Sequence, residues 1–235
     1  KADPNLHINF VSSLQVQIDA YQNESAYAYR DYGAGNIGQY FDHHFIISTL
    51  TDTNIASGVM FGIWGVADSL SDVEGLHAAG KNNVVLFIKN DGGAGPKFYL
   101  REVNDGSKYF ATSSAVLDLW TAYYIRAVRR LDEVIVFVYA PDEETLFATL
   151  SLTLHNEDQT YQYLYQGLSA NTGDNLHHVV SIMEFSYETY TSLGFVNDNT
   201  YRDCIMSWYP QTMNHIRIRI TDTAAQSWSI SQVYV

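Results

Sequence analysis

The sequence predicts an all-β chain, a two-sheet antiparallel jelly-roll sandwich with extra terminal strands. Three observations carry this. Short runs rich in aromatic and β-branched residues recur along the chain, as in Phe61-Gly-Ile-Trp-Gly-Val-Ala67 and Val134-Ile-Val-Phe-Val-Tyr139, the residue types that suit a pleated, half-buried surface. Gly, Asn, Asp and Pro close these runs at intervals of about ten residues, the spacing of a sandwich. Almost no segment keeps a helical period over several turns.

Taken in order, residues 6–11 and 14–19 alternate apolar with polar and read as a first strand pair. A tyrosine-rich stretch, 21–32, leads through Gly33-Ala-Gly35 and Gly38 into a strand at 40–48. Thr51-Asp-Thr-Asn54 is a turn cluster, and 59–66 is a buried strand whose glycines admit a close backbone neighbour. Ser71 and Glu74 have capping-box spacing, but Gly75 limits any helix there to a short turn. Strands follow at 84–89 and 98–103, then Asn104-Asp-Gly106, whose Asp-Gly pair is a hairpin signal. The alternation resumes at 109–113, 123–129, 134–139, 146–154, 161–165 and 179–187.

The markers Asp31-Tyr-Gly-Ala-Gly35, Trp64-Gly-Val-Ala-Asp68, Tyr123-Tyr-Ile-Arg126 and Phe137-Val-Tyr139, in this order, resemble the concanavalin A-like lectin/glucanase superfamily. The resemblance is strongest to the laminin-G-like jelly-roll modules of phage and environmental surface proteins. It covers residues 27–187 and implies fold rather than chemistry, since the markers form no catalytic motif. The expectation is a single domain over 1–235, with flanking strands in 1–20 and 190–235. In the tail, Ile216-Arg-Ile-Arg-Ile220 and Trp228-Ser-Ile-Ser-Gln-Val-Tyr-Val235 alternate cleanly, so they are expected to extend the sandwich or to pair with a neighbouring subunit.

Composition narrows the partners. A formal charge of −13 repels a nucleic-acid backbone, and the arginines at 126, 129 and 130 read as solvated strand positions with local ion pairing. No run reads as a signal peptide or a membrane span, so membrane insertion is not expected. Cys204 is the only cysteine, which excludes an intramolecular disulfide and a thiolate metal cluster.

Catalysis has weak support. A retaining glucanase needs an acid and a nucleophile on one strand face. The nearest pattern is Glu184-Phe-Ser-Tyr-Glu188, where the central Asp of the family pattern is Ser186. A lyase-type strand is approached by Arg101-Glu102, but adjacent strand residues point to opposite faces; a cross-strand Arg101 and a solvent-facing Glu102 are expected instead. By the same rule neither His43-His44 nor His177-His178 chelates a metal as a unit. A structural calcium would fall to oxygen-rich loops such as Asp52-Thr-Asn54, Asn90-Asp91 or Asn197-Asp-Asn199, which otherwise read as ordinary turns. There is no phosphate loop and no Gly-x-Ser-x-Gly elbow.

Sugar binding asks for aromatic platforms flanked by hydrogen-bonding groups. Trp64, Trp120, Trp208 and Trp228 supply candidates, and Trp120 is taken with the tyrosines as a binding residue. Tyr161, Tyr163 and Tyr165 are expected to form a stripe on one strand face. The function expected is thus a non-catalytic recognition module, extracellular or on a virion surface, that binds a glycan. The alternative is a structural surface or virion protein whose terminal strands contact neighbouring subunits, as in a homo-oligomer.

Overall fold

The computed structural model describes residues 1–12, 15–21, 23–53, 60–90, 95–118, 120–170 and 177–190. The expectations for the tail strands, Trp208, Trp228, Cys204 and the 197–199 loop lie outside these residues. The described strands belong to one unit, Lys1–Ser192.

Two antiparallel sheets make the sandwich. The first has seven strands in the spatial order β1 (Ile8–Ser12), β2 (Gln15–Tyr21), β13 (His177–Tyr190), β4 (Tyr40–Thr53), β9 (Ala122–Arg130), β10 (Glu133–Tyr139) and β11 (Leu146–Thr153). The second has six, in the order β3 (Tyr27–Asp31), β12 (Tyr163–Ser169), β5 (Met60–Ala67), β6 (Asn83–Asn90), β7 (Pro96–Asn104) and β8 (Ser107–Val116). The crossovers β2-β13-β4 and β3-β12-β5 place early and late strands side by side, as a jelly roll requires. At the β7–β8 hairpin, Asn104 pairs with Ser107 across Asp105 and Gly106, which take positive φ of 47° and 80°. This is the two-residue primed turn that an Asp-Gly pair favours.

Alternation sorts the side chains. Phe41, Phe45 and Ile47 of β4, Tyr123, Ile125 and Ala127 of β9, and Val134, Val136 and Val138 of β10 point inward. They meet Phe61, Ile63 and Trp64 of β5 and Leu86 of β6 in the inter-sheet core. Close approach is visible at β12, where Gly167 takes φ +130° and a Cβ there would stand 2.2 Å from Ile18 Cδ1 of the opposite sheet. Trp64, Phe87 and Ile125 are buried, as strand interiors should be, whereas Phe137 is only half-buried and faces outward from β10.

A second buried cluster covers the outer face of the six-stranded sheet. It contains Val85, Phe87, Tyr99, Tyr165 and Leu168, roofed by Val73 and Leu76 of a short helix, α1 (Val73–Ala78). The helix N-cap is Asp72, one residue later than the sequence spacing suggested; its Oδ1 accepts from Gly75 N at 2.8 Å. Glu74 is taken instead by Arg101 (3.3 Å) and Lys108 (3.4 Å). This second layer also explains β3, which the sequence reading passed over: Tyr27 and Tyr29 pack on the cluster while Ala28 faces the core, so both faces of the strand are apolar.

Candidate functional site

The tyrosine stripe is corrected by the fold. Tyr161 precedes β12, bridges to Ile37 and is 2% exposed within the inter-sheet core. Tyr165 is fully buried on the opposite side, its hydroxyl donating to Ser69 O at 2.9 Å and accepting from Ser71 N at 3.1 Å. Burial pushes both phenols well above their ordinary 10.0. Tyr163 is half-buried beside Tyr29, edge to face at 5.8 Å between ring centroids. Tyr161 and Tyr165 therefore offer no ring face to a ligand. Trp120, in contrast, is 71% exposed on the β8–β9 loop, at φ +63°.

The other candidates separate as strand geometry dictates. His43 points into the core and His44 to solvent. His178 stands opposite Asp52, eight residues along β4 from His44, on the order of 25 Å away. Arg101 lies under α1 on the outer face, donating to Val73 O at 2.9 Å. Glu102 is corrected from solvent-facing to buried: it accepts from His155 N at 3.0 Å and meets His155 Nδ1 at 2.8 Å. Arg129 is likewise buried rather than solvated. At β13, the register with β4 slips between Met183 and Ser186; the side chains of Glu184 and Glu188 lie outside the described ones. Among the described residues no group of three His, Cys, Asp or Glu is placed to hold a metal; Asn54 and Asp91 lie outside them.

What strand pairing assembles, and single-strand reading did not, is a cluster on the outer face of the seven-stranded sheet. Registers align His44, Arg126, Phe137 and Thr149 in one cross-strand row. The row on one side holds Asp42, Val128, Ile135 and Ser151, and the row on the other Ile46, Tyr124, Tyr139 and Leu146. Arg126 grips Asp42 with two bonds, Nε to Oδ1 at 2.9 Å and Nη2 to Oδ2 at 2.6 Å. His44 Nε2 sits 3.0 Å from the same Oδ1. Burial alone would raise the Asp42 carboxyl, but hydrogen bonds and charge from Arg126 and His44 hold it far below its ordinary 3.8. The bond from Asp42 in turn raises Arg126, against its own partial burial, and the Tyr139 phenol acts on the same guanidinium. Asp42 is nearly covered, while His44 and Arg126 side chains are 53% and 38% exposed. A buried carboxylate thus fixes two accessible polar groups between half-buried Tyr124, Phe137 and Tyr139. The only sequence signal was Asp42 and His44 at the polar positions of an otherwise apolar strand.

No protein-family model matches this chain, and no curated protein does. Solved structures share its fold. A legume lectin-like domain from Entamoeba histolytica is similar with a TM-score of 0.51 at 11% identity, over 78% of this chain and 87% of that one. The GH43 protein BlXynB from Bacillus licheniformis has a TM-score of 0.52 at 9% identity, over 75% of this chain and 33% of its own. A xylan β-1,4-xylosidase from Bacillus halodurans has 0.51 at 8%, over 74% and 32%. This chain spans about a third of the two Bacillus proteins. At these identities the likeness concerns the fold alone, a two-sheet antiparallel jelly-roll sandwich.

Proposed function

We propose that this protein is a non-catalytic carbohydrate-binding module whose site is the outer face of the seven-stranded sheet. The observation that carries the reading is the accessible Asp42–Arg126–His44 cluster bordered by Tyr124, Phe137 and Tyr139. Such a face offers what a sugar needs: fixed hydrogen-bonding groups beside aromatic surface. The exposed Trp120 stands on the loop leading into β9, two residues before Ala122. The lectin-like neighbour supports binding, and the xylosidase neighbour supports a glycan ligand for folds of this kind. For the non-catalytic part, Asp42 is held ionised with both oxygens engaged, so it has no proton to give as a general acid. The setting in this reading is extracellular or a virion surface, where glycans are met.

The test is a glycan array followed by calorimetric titration of the best ligand. Tyr139→Ala and His44→Ala are each expected to weaken binding about tenfold or more, a loss of about 1.4 kcal/mol, with the unfolding midpoint nearly unchanged. Sugar release from the bound glycan would overturn the non-catalytic assignment, and an array without any binder would overturn the reading itself.

A second reading, assembly through terminal strands, rests on β1. This edge strand of the seven-stranded sheet exposes Phe10 (53%) and Val11 (50%), and Leu6 just before it is 82% exposed. On this reading the double substitution Phe10→Lys and Val11→Lys lowers the particle mass in solution. An unchanged mass removes β1 as the contact.

A further inference from the structure

The donor and acceptor pattern of the cluster selects among glycans. Asp42, being ionised, only accepts hydrogen bonds, so the contact at 3.0 Å places a proton on His44 Nε2. Arg126 spends Nε–H and one N–H of Nη2 on Asp42, which leaves three N–H donors, two on Nη1 and one on Nη2. The cluster therefore pairs donors tied to one carboxylate with the hydroxyls of Thr149 in the same row and of Tyr139 and Ser151 in the adjoining rows, which both donate and accept. Neighbouring hydroxyls of a sugar ring each donate and accept, and match such a pair. A carboxylate or sulfate brings acceptors alone and would set them against the Asp42 charge.

Net charge on the face points the same way. Alternation with buried Val16, Ile18, Ala127, Val134 and Val136 puts Asp19, Asp42, Arg126, Arg130 and Glu133 on this side of the sheet. Among these described residues two guanidiniums face three carboxylates, on a chain of formal charge −13. The Arg126 charge at the centre of the cluster is already compensated by Asp42 at 2.6 Å. The remaining groups nearby are uncharged: Tyr124, Tyr139, Thr149 and Ser151.

Resting on the binding reading above, we propose that the face takes neutral, hydroxyl-rich glycans and rejects uronic-acid and sulfated ones, with Asp42 as the positioning residue that sets this preference. Asp42 aims Arg126 and His44 and cancels the charge that would otherwise attract an anion. Its removal should convert the selectivity rather than merely weaken binding.

The experiment titrates the whole chain with neutral xylo-, cello- and manno-oligosaccharides and with oligogalacturonate, at low and high salt. The wild type is expected to bind at least one neutral series, with affinity changing less than twofold between 50 and 500 mM NaCl, and to bind oligogalacturonate at least tenfold more weakly. Asp42→Asn is expected to lose neutral binding about fivefold or more and to gain oligogalacturonate binding about tenfold, with that gain abolished by high salt. If Asp42→Asn does not fold, Arg126→Gln, at a partly exposed position, is expected to lose neutral binding without gaining the anion. Wild-type preference for oligogalacturonate, or steep salt dependence, overturns the inference while leaving carbohydrate binding intact. Unaltered selectivity in a folded Asp42→Asn variant also overturns it. Binding to neither class overturns the function on which the inference rests.

Discussion

Replacing Arg129 by Met is expected to destabilise the fold by about 3–5 kcal/mol, since several desolvated carbonyls each lose a charged donor at about 1–3 kcal/mol, less than additively. Arg129 is 1% exposed in β9 and reaches four backbone carbonyls: Leu131 O from Nε at 2.9 Å, Gln159 O and Gly38 O from Nη1 at 2.5 and 3.4 Å, and Glu157 O from Nη2 at 2.9 Å. Its guanidinium also lies over the Tyr161 ring, 5.6 Å from the centroid. One side chain thus joins the β9–β10 turn, the segment entering β4 and the loop leading to β12. Met fills much of the volume but supplies no donor, and the desolvated carbonyls lose their partners. Arg129→Lys should recover only part of the loss, because an ammonium cannot span four acceptors in a planar fork. Denaturant titration of the three proteins reads this directly. A midpoint for Arg129→Met corresponding to less than about 1 kcal/mol of loss would show that water replaces the fork, and that the clamp is not structural.

Arg129 also marks where the sequence stops being informative. Strands and turns were legible because they depend on neighbours: alternation at 123–129 and 134–139 sorts inward from outward, and Asp105-Gly106 closes a hairpin by its own backbone preferences. Arg129 reads as solvated because arginine usually is; its burial follows from carbonyls that the 131 and 157–159 turns bring to it. The candidate site was hidden for the same reason. Asp42 and Arg126 are 84 residues apart and meet only through the β4–β9 register. The tyrosine stripe failed in the opposite sense. The period-two spacing of Tyr163 and Tyr165 was real, but a helix and a second apolar layer cover that face, and no pattern within 161–165 announces a cover supplied by 73–76.

Acid sensitivity centred on His43 is the other large effect expected. His43 is completely buried in β4, stacked on Phe41 at 4.5 Å between ring centroids, and its Nδ1 accepts from Trp64 Nε1 across the sandwich at 3.1 Å. Burial pushes its pKa from 6.5 down to about 3, with the Asp42 charge opposing and His44 reinforcing the shift. The native state therefore holds His43 neutral while the unfolded chain protonates it first. Because the unfolded state binds more protons in this window, stability is complete above pH 6.5 and falls with the pH until about 3, by roughly 5 kcal/mol in all and about 2 kcal/mol by pH 5. The depressed carboxyl of Asp42 adds a loss only near and below its ordinary 3.8, so the interval from pH 7 to 5 isolates the histidine. His43→Gln keeps an acceptor for Trp64 and cannot take up a proton there. It should be less stable than the wild type at pH 7, since an amide replaces a stacked ring, yet its stability should lack the His43 decline between pH 7 and 5. The readout is the difference between the two proteins in unfolding free energy at each pH, which cancels the other titrating groups. A difference that stays constant from pH 7 to 5 would mean that the buried imidazole takes up its proton without leaving the fold.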